Sequence, residues 1–360
     1  MAQKGKNIAE RKIRLQNVFR ARQLDGFIFF NMTNIRYLSG FTGSEGALFI
    51  RSGQDTLFVD GRYTAQAALE TKGIKIIECT DKIEAIIQAI QKHQLKKIGF
   101  ENDCTTMDTY KKLSNRLPKG ILIGLSDGLR TFRACKDDTE IAHIKQACHI
   151  SSYAVHSILH QVKPGWTEKE LALQLEIEAR HNGADGMAFD TIVAAGEHSS
   201  LPHARPTDRK IKQGDFVVID FGVRYKGYCS DETCTIAFGK LTDRQKNAYQ
   251  TVKNAHDRAL NAVADGISAA DIDKEARSVF GKKDGGYFVH GTGHGVGLDI
   301  HEAPRLSAIS GDILKQGMVF TIEPGLYIPG LWGIRIEDTV LLKKNGCEKL
   351  TKMDKELIMI

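Results

Sequence analysis

Two stretches of this 360-residue chain repeat one another. Ile211-Lys-Gln-Gly-Asp-Phe-Val-Val-Ile-Asp220-Phe-Gly222 and Leu314-Lys-Gln-Gly-Met-Val-Phe-Thr-Ile-Glu323-Pro-Gly325 each lead from an apolar residue through Lys-Gln-Gly into a β-rich run ending in an acid. A fainter echo lies upstream. Gly165-Trp-Thr167-Glu-Lys-Glu170-Leu171 and Gly266-Ile-Ser268-Ala-Ala-Asp271-Ile272 both read as a glycine followed by a helix start, with a hydroxyl cap and an acid three places on. Asp220 and Glu323 are 103 positions apart and Gly165 and Gly266 are 101 apart, so one duplication accounts for both echoes. A duplicated α+β half, folded on its copy, predicts that Asp220 and Glu323 face each other across a pseudo-twofold axis.

Each of these acids is followed by another at hairpin distance. Asp220 and Asp231 centre on the Tyr225–Lys226 bond, and Glu323 and Glu337 centre on Gly330. As cross-strand neighbours, each pair would leave one face of its sheet with Cβ atoms roughly 5 Å apart. Four such carboxylates do not coexist unaided. Two unit charges about 4 Å apart repel by about 4 kcal/mol at an effective dielectric near 20, and several such pairs exceed a domain stability of about 5–15 kcal/mol. Either the acids hold protons or cations hold the acids, and four carboxylates balance two divalent ions.

His294 completes the set, in Gly291-Thr-Gly-His294-Gly-Val-Gly297, where flanking glycines let the backbone approach a ligand closely. The dinucleotide pattern G-x-G-x-x-G fails because its sixth position is Val296, and no G-K-[ST] follows. His290 and His294 have H-x-x-x-H spacing, but the glycines argue against a helix, so only one is taken as a ligand. His156 and His160 share that spacing without a suitable acid and read as a partly exposed helical face. Cys229 and Cys234 beside Asp231 yield to four hard oxygens as ligands.

The first third reads differently. Short β-rich runs at Gly26–Phe30, Ala47–Ile50, Thr56–Asp60, Ile74–Cys79, Lys97–Glu101 and Ile121–Leu125 alternate with amphipathic stretches. One is Lys82–His93, with Ile83, Ile86, Ile87 and Ile90 at i, i+3, i+4 and i+7. This alternation predicts an α/β domain over 1–126, in which Phe19 and Tyr37 are core. Residues 127–137 read as a linker and 138–360 as the α+β domain, opening on a long helix capped by Asp138 or Thr139. The net charge of +6, from 50 basic and 44 acidic residues, forms no basic stripe and argues against nucleic-acid binding. No run approaches the roughly 18–20 apolar residues of a bilayer span, so no membrane partner is expected. Seven cysteines without C-x-x-C spacing argue against a disulfide framework. With no apolar leader in Met1–Lys12, the expected location is the cytoplasm.

The five candidate ligands lie in Ile-Asp220-Phe-Gly, Ser-Asp231-Glu-Thr, Gly-Thr-Gly-His294-Gly, Thr-Ile-Glu323-Pro-Gly and Ile-Arg-Ile-Glu337-Asp. Together, and in this order, they resemble the metal motifs of the aminopeptidase P and prolidase family. His203 in Leu-Pro-His203-Ala and His301 in Leu-Asp-Ile-His301-Glu resemble its two additional active-site histidines. Asn34-Ile-Arg-Tyr37, Gly40-Phe-Thr-Gly43 and Asp60-Gly-Arg-Tyr63 carry the resemblance into the first domain. One departure is Cys234, where relatives often have Arg.

The resemblance implies a pita-bread fold for the C-terminal domain, two pseudo-symmetric α+β halves around a dinuclear metal site. It implies Asp220 on one metal, His294 and Glu323 on the other, and Asp231 and Glu337 bridging. Mn²⁺ is the expected ion, with Co²⁺, Fe²⁺ and Zn²⁺ as alternatives. It further implies hydrolysis of the Xaa-Pro bond in peptides with proline second, Glu323 relaying the proton and His203 and His301 holding the substrate oxygen. His290 and Arg335 would orient the groups behind them. The first-domain segments incline the expectation to an Xaa-Pro aminopeptidase, with an Xaa-Pro dipeptidase as the alternative. From a different class, a non-catalytic pita-bread binding protein would typically have lost ligands. A homodimer formed through the first domain is expected on the same ground.

Overall fold

The structure, a computed structural model, describes residues 2–125, 130–163 and 165–360. It divides into two compact units, Met1–Arg130 and Thr131–Ile360. The expected boundary at Ser126 and the start of the linker, 127–129, lie outside the described residues.

The first unit is built on a six-stranded sheet. Its order is Lys75–Glu78, Thr56–Val59, Ala47–Arg51, Gly26–Phe29, Ile98–Glu101, Leu122–Leu125. The outer pairs on each side are parallel and the strands Gly26–Phe29, Ala47–Arg51 and Thr56–Val59 pair antiparallel. Gly26–Phe29, Thr56–Val59 and Ile98–Glu101 are buried throughout, whereas edge strand Lys75–Glu78 exposes its two charged ends. Apolar runs thus take the centre and mixed ones the rim. Helix Lys82–Lys92 is started by Asp81, whose carboxylate accepts from Ile83 N and Glu84 N, and it buries Ile86, Ile87 and Ile90. Phe19 and Tyr37 are core, as expected.

The second unit shows the duplication as a repeated order of elements. Helices Asp138–Leu159 and Glu168–His181 precede strands Ile192–Ala195, Asp215–Phe221 and Glu232–Phe238. Helices Asp243–Ala262 and Ala269–Arg277 precede strands Gly293–Gly295, Val319–Ile322 and Asp338–Leu342. In each half the two helices pack together, and the strand leading to Asp220 or Glu323 lies between the other two. The two sequence echoes dock on each other identically. Ile211 N donates to Trp166 O and Leu314 N to Ile267 O, both at 2.9 Å. Gly214 and Gly317 both have φ of +87°, a left-handed value that glycine alone adopts freely.

Helix Glu168–His181 starts on a capping box of Thr167 and Glu170, and Ala269–Arg277 on Ser268. The long first helix corrects the expectation. Its cap is Asp137, not Asp138 or Thr139, because the Asp137 carboxylate accepts from Thr139 N and Glu140 N while Glu140 folds back to Asp137 N. Strand alternation then sorts side chains between two cores. Val217, Ile219 and Phe221 pack with Leu171 and Leu175 of the first half, while Phe216 packs with Trp332 and Val252 of the second. Each such buried side chain contributes about 1.5–3 kcal/mol. Among the described residues no helix is long and apolar enough to cross a membrane. All seven cysteines are free, and burial pushes the Cys229 and Cys234 thiols up to about 12.

Candidate metal centre

The hairpin of the second half has the predicted register. Val319 pairs with Leu341, Ile322 with Asp338, and Gly325 with Arg335, all symmetric about residue 330, so Glu323 and Glu337 occupy opposed positions. The hairpin of the first half does not. Asp220 pairs with Thr233, not Asp231, and the turn centres on Lys226-Gly227, one residue later than predicted. The cause is the turn chemistry. Tyr225 pairs with Tyr228 across a two-residue loop in which Lys226 has φ of +51° and Gly227 +81°, the two positive values a type I′ turn requires. Centring on Tyr225–Lys226 would force an aromatic residue into that region. Asp231 therefore sits two residues before Asp220's partner, an even displacement that keeps it on the same face.

The acids and imidazole of the two halves do converge. One ligand atom each from Asp231, His294 and Glu337 lies within 4.8 Å of the others. His294 Nε2 is 3.2 Å from Glu323 Oε1 and 3.5 Å from Asp231 Oδ2. Asp220 joins through Arg335, whose Nη2 donates to Asp220 Oδ2 at 2.6 Å. The halves are laced directly beneath the cluster, where Thr233 Oγ1 donates to Glu337 Oε2 at 2.6 Å and Thr339 Oγ1 to Asp231 O at 2.6 Å.

Without ions the cluster relieves its charge by protonation and pairing. Burial, followed by the charges of neighbouring acids, pushes Asp231 and Glu337 well above the usual carboxylate range. Burial also raises Asp220, against the pull of Arg335. Burial opposes the charge on Glu323 too, but the His294 hydrogen bond and the positive charges of His294, His290 and Arg335 hold it at about 2. Glu323 in turn raises His294 against burial. Within the cluster, Asp220 Oδ1 and Glu337 Oε1 are buried and accept no hydrogen bond from the described residues. Orphaned lone pairs cost free energy unless something fills them, and a hard, oxygen-rich set with one imidazole suits a divalent cation. The residues fit the metal that the sequence implied.

The expected supporting residues are found around this cluster. His301 meets His294 edge to face with ring centroids 4.2 Å apart. His203 is exposed; burial lowers both His290 and His301, helped by the charge of Arg335 at His290 and of His294 at His301. His294 lies in strand Gly293–Gly295, and the flanking glycines have a packing role that was not expected. A Cβ at Gly293 would lie 2.0 Å from Thr321 O and one at Gly295 2.1 Å from Ala303 O, so these glycines admit the neighbouring strands closely. Arg335 is 3% exposed and spends its guanidinium on Asp220, Thr233 Oγ1, Pro202 O and the Tyr327 hydroxyl.

Tyr327 was not legible as a site residue. Its oxygen accepts from Arg335 Nη1 at 2.6 Å and lies 2.9 Å from His290 Nε2, while His290 Nδ1 lies 2.8 Å from Gly291 O. A carbonyl only accepts, so Nδ1 carries the proton and Tyr327 donates to Nε2. The available signal was strand parity: Tyr327 is four residues past Glu323 and shares its face. Thr321 was missed likewise. It donates to Glu323 Oε1 at 3.0 Å and accepts from His294 N at 3.1 Å.

Residues 142–344 match the family model for Metallopeptidase family M24, and residues 11–135 match that for the Creatinase/Prolidase N-terminal domain. The chain is similar to the Xaa-Pro dipeptidase of Pyrococcus horikoshii, 36% identical over 340 residues that cover 93% of this chain and 95% of that one. Among solved structures it resembles the Xaa-Pro dipeptidase from Bacillus anthracis, at 38% identity and a TM-score of 0.94, with 98% and 100% of the two chains covered. It also resembles the X-Pro aminopeptidase from Thermotoga maritima, at 37% identity and a TM-score of 0.87, with 94% and 98% covered.

Proposed function

The chain belongs to metallopeptidase family M24, a hydrolase with the pita-bread fold behind a creatinase-type N-terminal domain, and on that premise we propose that it cleaves Xaa-Pro dipeptides. The observation that carries this reading is the end-to-end similarity to Xaa-Pro dipeptidases. It revises the preference for an aminopeptidase drawn from the first-domain segments. The aminopeptidase reading stays as the second, favoured by the 37% identity to the Thermotoga maritima enzyme.

In this reading residues 138–360 are the catalytic domain, joined by 127–137 to the domain 1–126, and the protein works in the cytoplasm as a homodimer without nucleic-acid or membrane partners. Asp220, Asp231, His294, Glu323 and Glu337 would hold two divalent ions, Mn²⁺ by preference, with Asp231 and Glu337 shared. Bound there, the ions would supply a water of lowered pKa and polarise the scissile carbonyl. Glu323 takes the proton of the attacking water on a carboxylate oxygen and returns it to the departing proline nitrogen. His301, beside His294, and His203 donate hydrogen bonds to the carbonyl oxygen as its charge develops. Arg335 holds Asp220 in place and, through Tyr327, orients His290. An Xaa-Pro bond has no N–H to grip, so a pocket that selects proline by shape is suited to it.

The test is hydrolysis of an Ala-Pro dipeptide against an Ala-Pro-Ala tripeptide, each with Mn²⁺ and with chelator. Mn²⁺-dependent cleavage of the dipeptide in preference supports the proposal. Preference for the tripeptide moves the assignment to the aminopeptidase, and hydrolysis of neither overturns both.

A further inference from the structure

Behind the metal cluster the next residue of each acid-bearing strand points the opposite way, and the two residues meet at one ammonium. Glu232 follows Asp231 and Asp338 follows Glu337, so alternation turns both to the rear face. Lys355 Nζ is 2.6 Å from Glu232 Oε1 and 3.5 Å from Asp338 Oδ1, with all three side chains at most 5% exposed. The other contacts of these acids are also specific. Ser152 Oγ donates to Glu232 Oε2 at 2.5 Å, Met353 N to Glu232 Oε1 at 3.0 Å, and Thr351 Oγ1 to Asp338 Oδ1 at 2.6 Å. His256 Nε2 and Lys349 Nζ stand 3.3 and 3.5 Å from Asp338 Oδ2.

The segment that supplies Lys355 joins the two halves. It begins where Leu350 N donates to Thr339 O of the second half. It ends where Ala237 N donates to Ile358 O and Ile360 N to Ala237 O of the first. The one ammonium of Lys355 thus reaches an acid of each copy.

We propose that Lys355 is a positioning residue of the metal centre, fixing the spacing of Asp231 and Glu337 by holding Glu232 and Asp338 to one point behind them. The inference rests on the reading of Asp231 and Glu337 as ligands shared by the two ions. Each acid of the rear pair is covalently adjacent to one of those ligands, so any separation at the rear is passed directly to the front. Without the ammonium, Asp338 keeps His256 and Lys349 on its other oxygen, but Glu232 loses its ion pair and nothing cationic ties the two acids to each other.

The test is Mn²⁺ titration by calorimetry of the full chain after chelation and dialysis, alongside thermal melting of the same chelated samples. Lys355→Met is expected to weaken Mn²⁺ binding by about 10–100-fold, while Lys355→Arg, which keeps the charge, stays within about threefold of the parent. A lysine that only stabilised the fold would lower the melting temperature of the chelated protein and leave Mn²⁺ affinity unchanged, and that result overturns the proposal. Should Lys355→Met fail to fold, Ser152→Ala and Thr351→Val each remove one hydrogen bond from the pair. Weakened Mn²⁺ binding in either supports the proposal, and unchanged binding in both overturns it. A parent chain that binds no Mn²⁺ would instead overturn the reading of the front site, a result distinct from equal binding by parent and variants.

Discussion

The two hairpins that bring the acids together descend from one repeat, yet they keep register differently. The second runs symmetrically about residue 330 from Val319–Leu341 to Ile328–Trp332, with its acids directly opposed. The first has slid by one position at its turn, and Asp220 faces Thr233. A slide of one at the turn displaces the register by two, and a displacement of two preserves the face. The gathering of carboxylates therefore depends on parity, not on direct opposition. The slide also has a product: Thr233, now opposite Asp220, donates to Glu337 and accepts from Arg335, so the first hairpin reaches under the second.

The strongest way to break this comparison is to remove one acid from each hairpin. Asp231→Asn and Glu337→Gln should each cut Mn²⁺-dependent Xaa-Pro hydrolysis by at least about a thousandfold, the scale of losing a preorganised charge at the reacting centre. Circular dichroism should remain that of the parent. Unequal losses, with Asp231→Asn keeping most of the activity, would mean that the slid hairpin no longer serves the site as its copy does.

Proton competition is the next largest effect. Burial and the neighbouring acids raise Asp231 and Glu337 well above the usual carboxylate range, so protons compete with a cation for these oxygens to higher pH than at ordinary carboxylates. Apparent Mn²⁺ affinity should therefore rise with pH through and beyond the ordinary carboxylate range, about 4, and fall in acid. Titrations at pH 5.5 and 7.5 check the sign, and a flat profile would contradict it.

Tyr327→Phe, which cuts the link from Arg335 to His290 in the second hairpin, should lower kcat by about tenfold with Mn²⁺ affinity largely kept. Smallest are the turns. Gly227→Ala and Gly330→Ala, at φ of +81° and +70°, should each cost about 1–2 kcal/mol by forcing a side chain into the left-handed region. Lys226→Asn should stabilise by about 0.5 kcal/mol or less, asparagine being favoured at that type I′ position. Urea melts measure all three.

Much of this was readable in the sequence because it rests on local rules. The strands of the first unit followed from apolar runs between turn residues. The helix starts at Thr167 and Ser268 followed from hydroxyl-plus-acid spacing, and the convergence of the acids from their shared place in the repeat. What escaped depends on which of two neighbouring turns is cheaper, or which of three adjacent polar residues caps a helix. The Asp137 cap won by its reciprocal bond with Glu140, a choice that Asp138 and Thr139 disguise. Tyr327 and Thr321 escaped because their roles lie in what they touch across strands, which no local pattern records. Lys355 lies more than a hundred residues from Glu232 and in no motif at all.

The protonated state of the buried thiols has a practical consequence. Cys229 and Cys234 flank Asp231 in the chain, yet with pKa values near 12 they expose almost no thiolate at neutral pH. Alkylating reagents and mild peroxide will find little to attack there. Alkylation that inactivates the protein would therefore point to a more accessible thiol such as the exposed Cys104, whereas inactivation by peroxide alone, prevented when the site is loaded with redox-inert Zn²⁺, would point to oxidation of an ion such as Mn²⁺.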